Sequence, residues 1–183
     1  LYKDNWEKTL YEVIIFVNEF LLSNDVKHIS IGEIISNSAL NILINDNKSI
    51  VADFLKEQSV VDSVIEAKIS IWWKSIKSEY QFDETDPYKA YAKSVILNWA
   101  YRIIFAHLIK RQQKEAVHVN DIDYETTPKE ANIIFSEITS KCDFYNVFAS
   151  IDLNELLPNK TWESLVDLSL FLKENGIKSI NQS

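Results

Sequence analysis

The stretch SVILNWAYRIIFAHLIKRQQKE, Ser94–Glu115, decides the fold of this chain. At about 100° per residue on an α-helix, apolar side chains fall on every side, and only the last turns are polar. Two stripes run along it, one with Ile96, Trp99, Ile103, His107, Lys110 and Lys114, the other with Leu97, Tyr101, Ile104 and Leu108. A helix that is apolar all round lies inside a bundle, so we expect this one to be a central helix enclosed by others.

The composition favours helices in the rest of the chain as well. Its 183 residues are 46% hydrophobic and include only two glycines and three prolines. Hairpin turns and phosphate-binding loops need more glycine than this, so sheet-rich folds and glycine-loop nucleotide folds are excluded. The predicted fold is all-α, an irregular multi-helix bundle around a central apolar helix. We expect a single helical domain over 1–183, with 1–80 and 86–183 as sub-units.

Helical periodicity divides the chain into segments. The predicted helices cover 4–22, 32–44, 49–58, 59–80, 86–114, 128–138 and 161–174. The sequence NDNKS at 45–49 is predicted to break the second helix from the third. The connectors are the polar link 81–86, the acidic segment 115–127 and the irregular aromatic segment 142–158.

Four positions carry end signals for these helices. Asp86 followed by Pro87 is a strong helix start, because aspartate accepts an unpaired backbone N–H and proline fits the first turn. Ser59 and Thr161 are predicted to cap the helices that follow them. Gly176 stands where a left-handed residue ends the last helix.

Glu66-Ala67-Lys68 matches the E-x-K half of the sequence motif of metal-dependent nucleases. In such enzymes the carboxylate holds Mg²⁺ and the lysine stabilises charge at the scissile phosphate. That chemistry needs a strand end, whereas the apolar residues around them, Val61, Ile65, Ile69, Trp72 and Ile76, repeat at helical spacing. Asp53 and Asp62 lie in helical context too. The favoured interpretation is a solvated face of an amphipathic helix.

Other candidate chemistry is weaker. Asp86, Pro87 and Tyr88 are similar to the catalytic loop of amino-group methyltransferases, but the second proline of that loop is missing and a helix cap explains the segment. The three histidines, His28, His107 and His118, have no metal-ligand spacing, and Cys142 has no partner pattern. The sequence therefore predicts no catalytic, cofactor-binding or metal-binding residue. Trp72 is expected in the core, and Trp73 is expected to pack elsewhere.

The net charge of −8 opposes strong non-specific binding to nucleic acid. A basic surface can still exist locally, and Lys110, Arg111 and Lys114 gather at the end of the central helix. These cations suit the negative end of the helix dipole, which is the favoured explanation. Contact with a DNA backbone is the alternative, and these three residues are the candidates for it.

Cellular location is also indicated by composition. A single cysteine excludes an internal disulfide and fits a reducing compartment, and no run of 18 apolar residues or signal peptide is present. The chain begins at Leu1 and contains no methionine, so we expect a piece of a longer cytoplasmic protein.

Two quoted segments carry a family resemblance. The segment AKSVILNWAYRIIFAHLIKR, followed by the segment from EANIIF through FYNVF to the end of the chain, resembles the helical region that precedes the catalytic domain in large N6-adenine DNA methyltransferases of restriction–modification systems. The resemblance covers roughly residues 71–183. These are patterns of residue type, and the glycine-rich cofactor motif and the N-P-P-Y motif are absent, so no catalytic residue is carried over.

This resemblance implies a DNA-binding accessory domain whose partner is its own catalytic domain, with S-adenosylmethionine bound in the parent protein and none in this chain. The chain itself would then lack activity, while the parent would be a methyltransferase. The alternative is a helical protein–protein interaction or assembly module with no nucleic-acid role. An E-x-K nuclease is the third hypothesis. The residues that follow Ser183 in the parent discriminate among the three.

Overall fold

A computed structural model describes residues 29–30, 39–80, 84–142, 144–175 and 177–178. The fold is all-α, as predicted. The α-helices are α1 (Ala39–Val61), α2 (Ser63–Tyr80), α3 (Pro87–Ile109), α4 (Pro128–Cys142), α5 (Tyr145–Phe148) and α6 (Asn159–Asn175). A 3₁₀ helix, η1 (Lys114–Asp121), follows α3, and two short strands, β1 (Ile29–Ser30) and β2 (Ile177–Lys178), pair in parallel.

Helix α3 is the centre of the bundle. Helices α1, α2, α5 and α6 and the 3₁₀ helix all pack against it. Every residue from Trp99 to Ile109 except Tyr101 is buried, because apolar side chains on all sides are stable only when neighbours surround the helix. The prediction of a central helix is confirmed.

The start of α3 also follows its sequence signal. Asp86 is the N-cap, and its Oδ1 accepts hydrogen bonds from the backbone N–H groups of Tyr88 (2.9 Å) and Lys89 (3.4 Å). Pro87 is the first helical residue. The predicted end at Lys114 is wrong, since α3 ends at Ile109 and the chain turns before η1. The buried apolar run stops at Ile109, so no burial stabilises a longer helix.

The predicted break at NDNKS is wrong. Helix α1 runs without interruption from Ala39 to Val61 and joins two helices that the sequence separates. Asn47 turns inward, and its Nδ2 donates to the carbonyl oxygen of Leu43 one turn earlier (2.9 Å). The turn-forming tendency of asparagine is therefore met inside the helix, and tertiary packing outweighs local propensity.

Ser59 does not cap α2 as predicted. It lies inside α1, where its hydroxyl donates to the carbonyl oxygen of Lys56 (2.7 Å). The break falls three residues later, at Asp62, whose Oδ1 accepts the backbone N–H of Val64 (2.9 Å). Asp62 thus makes the capping contact at the start of α2.

Two later helix boundaries also differ from prediction. Helix α4 continues past Ile138 to Cys142, whose side chain is buried. Helix α6 begins at Asn159 rather than after Thr161. Thr161 is fully buried in the first turn, and its hydroxyl has no hydrogen-bond partner in the described part of the chain. Thr161 is the third residue of α6, so it lies inside the helix and not at the capping position that precedes it.

The irregular segment between α5 and α6 is fastened to one side of α3. Tyr91 donates its hydroxyl to the carbonyl oxygen of Asp152, Asn98 donates to that of Ala149 (2.9 Å), and Trp99 donates to that of Asn154 (2.8 Å). Side-chain donors on α3 thus replace the backbone partners that a regular helix would supply.

The remaining predictions for the first helix at 4–22, for 32–38, for His28 and for Gly176 lie outside the described residues. Among the helices of the described ranges, none is long and apolar enough to cross a lipid bilayer.

Candidate functional site at the basic end of helix α3

Three elements meet at the carboxyl end of α3. The 3₁₀ helix η1 packs on α3 and on α6, and α6 packs along α3 in turn. Lys110 follows α3 directly, Asn120 lies in η1, and Lys173 lies in the last turn of α6. The site is therefore assembled from parts of the chain that are distant in sequence.

Lys110 is half-buried, whereas it was predicted to lie at the surface. Its Nζ donates to Asn120 Oδ1 (3.0 Å) and to His107 Nδ1 (2.9 Å). Burial lowers the pKa of Lys110, and the positive charges of Arg111 and Lys173 lower it further. Lys110 is drawn inward because η1 folds back over the end of α3 and offers the side-chain amide of Asn120 as a hydrogen-bond partner.

Lys173 joins this group although the sequence gives no sign of it. It is exposed, and its Nζ donates to the backbone carbonyl oxygen of Asn120 (2.8 Å). We call Lys110, Arg111 and Lys173 the basic cluster, because Lys110 and Lys173 both donate to Asn120 and Arg111 directly follows Lys110. Lys114, the third candidate from the sequence, is exposed at the start of η1.

One carboxylate lies near the basic cluster. Asp123 has a lowered pKa, mainly because its carboxylate accepts the backbone N–H of Glu125 (2.9 Å), and the charge of Lys173 contributes to a smaller extent. The same carboxylate oxygen also accepts the N–H of Thr126 (3.2 Å). Asp123 therefore stays ionised, and its negative charge offsets part of the positive charge at Lys173.

His107 and Ser169 form a hydrogen-bonded pair beneath the cluster, with Nε2 and Oγ 3.0 Å apart. The ammonium of Lys110 can only donate, so Nδ1 of His107 is the acceptor and Nε2 carries the proton. Burial lowers the pKa of His107 to about 3, and the charges of Lys110 and Lys173 act in the same direction.

This pair does not have the properties of a catalytic serine and histidine. A general base needs a pKa near the working pH and an open approach to substrate, whereas both side chains here are buried. The second ring nitrogen faces an ammonium instead of the carboxylate that orients a catalytic histidine. His107 is therefore a neutral core residue that links α3 to α6.

Glu66 and Lys68 lie on helix α2, which confirms the helical prediction for this segment. Glu66 is exposed, and Nζ of Lys68 lies 3.6 Å from Oδ1 of Asp152, an exposed ion pair of little energetic weight. Asp62 is used by the start of α2. Glu66 and Lys68 both lie within a helix and not at the strand end that the nuclease chemistry needs.

Arg102 is a buried cation that sequence reasoning did not single out. Its side chain is 2% exposed and lies over two rings, with Cζ 4.7 Å from the centroid of Trp99 and 4.4 Å from that of Phe135. Nη1 donates to Asn132 Oδ1 (2.8 Å), while Nε lacks a partner among the described residues. Burial lowers the pKa of Arg102 to about 10.

Asn132 connects Arg102 to the irregular segment. The side-chain amides of Asn132 and Asn154 exchange two hydrogen bonds of 3.1 Å each, and Nδ2 of Asn132 also donates to Glu155 Oε1 (2.9 Å). The guanidinium is thus held by aromatic faces and an amide. The arrangement joins α3, α4 and the segment before α6, and it leaves the cation closed to solvent.

The other candidate groups are separate from one another. His118 pairs with Asp121 (3.0 Å) at the surface, and Cys142 is a buried free thiol. Within the ranges that the structure describes, no three histidine, cysteine, aspartate or glutamate side chains gather where they could hold a metal ion. Trp72, expected in the core, is half-buried and meets the ring of Tyr91 edge-on at a centroid distance of 4.8 Å.

Comparison of the chain with protein-family models, with curated proteins and with solved structures finds no match.

Proposed function

We propose that this chain is a helical accessory domain of an S-adenosylmethionine-dependent N6-adenine DNA methyltransferase. In this proposal it supports the catalytic domain of a cytoplasmic parent protein, and its basic cluster contacts the DNA backbone. The cofactor is bound by the parent, outside this chain. The observation that carries the proposal is the gathering of Lys110, Arg111 and Lys173 in a chain of net charge −8.

Mutual repulsion supports an anionic partner for the cluster. The charges of Arg111 and Lys173 lower the pKa of Lys110, so the site bears an electrostatic cost that a bound phosphate would relieve. Arg111 and Lys173 are both exposed. An arginine offers a fork of donors that matches phosphate oxygens, and a lysine offers a point charge.

The family resemblance supports the same surface. Arg111 ends the first resembling segment, and Lys173 lies in the second. Eighteen residues, 112–129, separate the two segments in sequence, and the fold brings their basic residues to one end of α3. A backbone contact of this kind positions DNA without reading its sequence.

A protein–protein interaction module is the second candidate, and one surface favours it. Val60 and Val61 at the end of α1 are each 87% exposed, and Val64 and Ile71 on α2 are exposed as well. Val64 and Ile71 are seven residues apart and so lie on one face of α2. A partner that covers this corner would bury apolar surface that water now contacts.

Fluorescence anisotropy of a labelled DNA duplex, titrated with the 183-residue chain at low salt, tests the proposal. We expect Arg111→Gln combined with Lys173→Gln to weaken binding about tenfold or more for all DNA sequences. The control is Lys129→Gln combined with Lys141→Gln, which removes the same number of charges from exposed positions on α4. Equal affinities for the two double variants would overturn the DNA contact and leave the interaction module as the better candidate.

A further inference from the structure

Both lysines of the basic cluster donate a hydrogen bond to Asn120. Nζ of Lys110 donates to the side-chain Oδ1 of Asn120 (3.0 Å), and Nζ of Lys173 donates to its backbone carbonyl oxygen (2.8 Å). An ammonium can only donate, so the oxygen of the Asn120 amide, and not its nitrogen, faces Lys110. One residue of η1 thus holds a lysine from the end of α3 and a lysine from α6 in the same place.

The backbone around Asn120 is fixed by its apolar neighbours. Ala116 and Val119 in η1 and Ile122 directly after it are fully buried. The backbone N–H of Ile122 donates to the carbonyl oxygen of Val119 (3.3 Å), which closes the turn that contains Asn120. A side chain on a packed backbone positions its partners accurately. The two acceptors of Asn120 are therefore in place before any ligand binds.

The atoms that contact the two ammonium groups are uncharged. Besides Asn120, Lys110 donates to Nδ1 of the neutral imidazole of His107. Within the described residues, neither Lys110 nor Lys173 forms a salt bridge. These hydrogen bonds therefore orient the ammonium groups without cancelling their positive charge.

Two carboxylates near Asn120 in sequence are engaged elsewhere. Asp121 lies 3.0 Å from Nδ1 of the exposed His118. Asp123 accepts backbone N–H groups of its own turn and acts on Lys173 through its charge. Negative charge is thus present at the edge of the site, while a neutral residue stands between the two lysines.

An aspartate at position 120 would suit the stability of the fold better than an asparagine. It has the same size and would accept the same hydrogen bond from Lys110, strengthened by its charge. It would also relieve the repulsion within the basic cluster. A position at which the neutral residue stabilises less is typical of a functional site, because here it keeps the cluster cationic for an anionic ligand.

We propose that Asn120 is the positioning residue of the phosphate site, where its uncharged oxygens hold Lys110 and Lys173 beside Arg111 and leave the full positive charge of the cluster to the DNA backbone. This inference rests on the proposed function, since it requires that the cluster contacts DNA. Asn120 acts through the two lysines and not on the bases, so its contribution is the same for every DNA sequence.

Two substitutions at position 120 separate charge from positioning, with DNA anisotropy over a range of salt concentrations and thermal unfolding as the measurements. Asn120→Asp keeps the acceptor for Lys110 and adds a negative charge. We expect it to lower the DNA affinity about tenfold at low salt and to flatten the salt slope by about 0.9, while the melting temperature stays unchanged or rises. Asn120→Leu keeps the charge and removes the acceptor, so we expect the affinity to fall at least about threefold with an unchanged salt slope.

The matched control is Gln58→Glu, which makes the same exchange of an amide for a carboxylate at the opposite end of α3. Gln58 precedes Ser59, whose hydroxyl accepts a hydrogen bond from Tyr88 in the first turn of α3 (3.1 Å). Because this position is far along α3 from the basic cluster, Gln58→Glu should bind DNA like the parent chain. A loss of affinity equal to that of Asn120→Asp would trace the effect to net charge and overturn the proposal.

Other outcomes decide the role of Asn120 as follows. Affinity and melting temperature that fall together in Asn120→Asp would show an ordinary structural residue and overturn the proposal, as would parent-like affinity in either variant. If Asn120→Leu does not fold, Asn120→Asp decides alone, since it keeps the hydrogen bond to Lys110.

The variant Arg111→Gln combined with Lys173→Gln separates this inference from the proposed function. If it weakens DNA binding while the substitutions at position 120 do not, only the role of Asn120 is overturned. If it binds DNA like the parent chain, the DNA contact itself is overturned, and the role of Asn120 with it.

Discussion

The indole Nε1 of Trp99 donates a 2.8 Å hydrogen bond to the carbonyl oxygen of Asn154. Trp99 is fully buried, and its ring meets that of Trp162 edge-on at a centroid distance of 4.9 Å. One side chain thus joins the central helix to the irregular segment and to α6. Trp162 extends the connection, since its Nε1 donates to the carbonyl oxygen of Thr126.

We expect Trp99→Ala to lower the free energy of unfolding by about 3–5 kcal/mol, the usual range for emptying a buried aromatic site. Trp99→Phe should cost less, because it keeps most of the packing and gives up only the hydrogen bond to Asn154. Urea unfolding monitored by circular dichroism gives both values. A cost below about 1 kcal/mol for the alanine variant would contradict the central position of Trp99.

Arg102 should be replaceable by a neutral side chain more readily than by lysine. Arg102→Met removes a desolvated charge, keeps an unbranched, shorter side chain against the two rings and leaves Asn132 paired with Asn154, so we expect a change within about 1 kcal/mol. Arg102→Lys should cost about 2–3 kcal/mol, because an ammonium is more strongly hydrated and stacks poorly on the rings of Trp99 and Phe135. Thermal and urea unfolding of the two variants compare them directly. A lysine variant as stable as the methionine variant would contradict the aromatic account of this site.

His107 should make folding sensitive to acid. Its pKa is about 3 in the folded chain and near 6.5 when unfolded. Below pH 6.5 the unfolded chain therefore takes up a proton that the folded chain refuses, and stability falls as the pH is lowered toward 3. The full effect is up to about 5 kcal/mol. The charges that face the ring are those of Lys110 and Lys173.

The measurement for His107 is the slope of unfolding free energy against pH between 6 and 4.5. One proton corresponds to about 1.4 kcal/mol per pH unit. We expect His107→Gln to reduce this slope by up to that amount relative to the parent chain, and His118→Gln, at an exposed position, is the matched control. Identical slopes for the parent and His107→Gln would show that His107 is not held neutral.

Removing charges from the basic cluster should leave the fold intact. We expect Arg111→Gln combined with Lys173→Gln to change the unfolding free energy by less than about 1 kcal/mol at low salt, because relief of repulsion offsets the removal of favourable interactions at the helix ends. The triple change of Lys110, Arg111 and Lys114 to Gln should cost somewhat more, since Lys110 bonds to His107 and Asn120. Unfolding in 20 mM and 500 mM salt checks this, and a decrease above about 2 kcal/mol for the double variant would assign the cluster a structural role.

Local signals in the sequence predict the centre of the fold well. The enclosed position of α3 follows from apolar residues on all sides, and Asp86 with Pro87 fixes its start through contacts within four residues. The end of α3 and the continuous helix α1 could not be predicted in this way. At Asn47, local turn propensity favours a break, but burial and a bond to Leu43 preserve the helix.

The candidate site was only partly predictable. Arg111 is visible in sequence as a cation after an apolar helix, but Lys173 reaches the same place through packing of α6, which no local pattern encodes. The burial of Arg102 was predictable, because an arginine between Trp99 and Ile103 lies on a helix that is apolar on all sides. Its partner Asn132 is 30 positions away, and only the fold brings the two together.

The salt dependence of DNA affinity tests the central claim most directly. Kd for a labelled duplex is measured for the 183-residue chain from about 20 to 200 mM salt, and the logarithm of affinity is plotted against the logarithm of salt concentration. The account predicts that Arg111→Gln combined with Lys173→Gln flattens the slope by about 0.9 for each phosphate that the variant no longer neutralises, whereas Lys129→Gln combined with Lys141→Gln leaves it unchanged. An identical slope for the parent chain and the Arg111/Lys173 variant would contradict a phosphate contact at the end of α3.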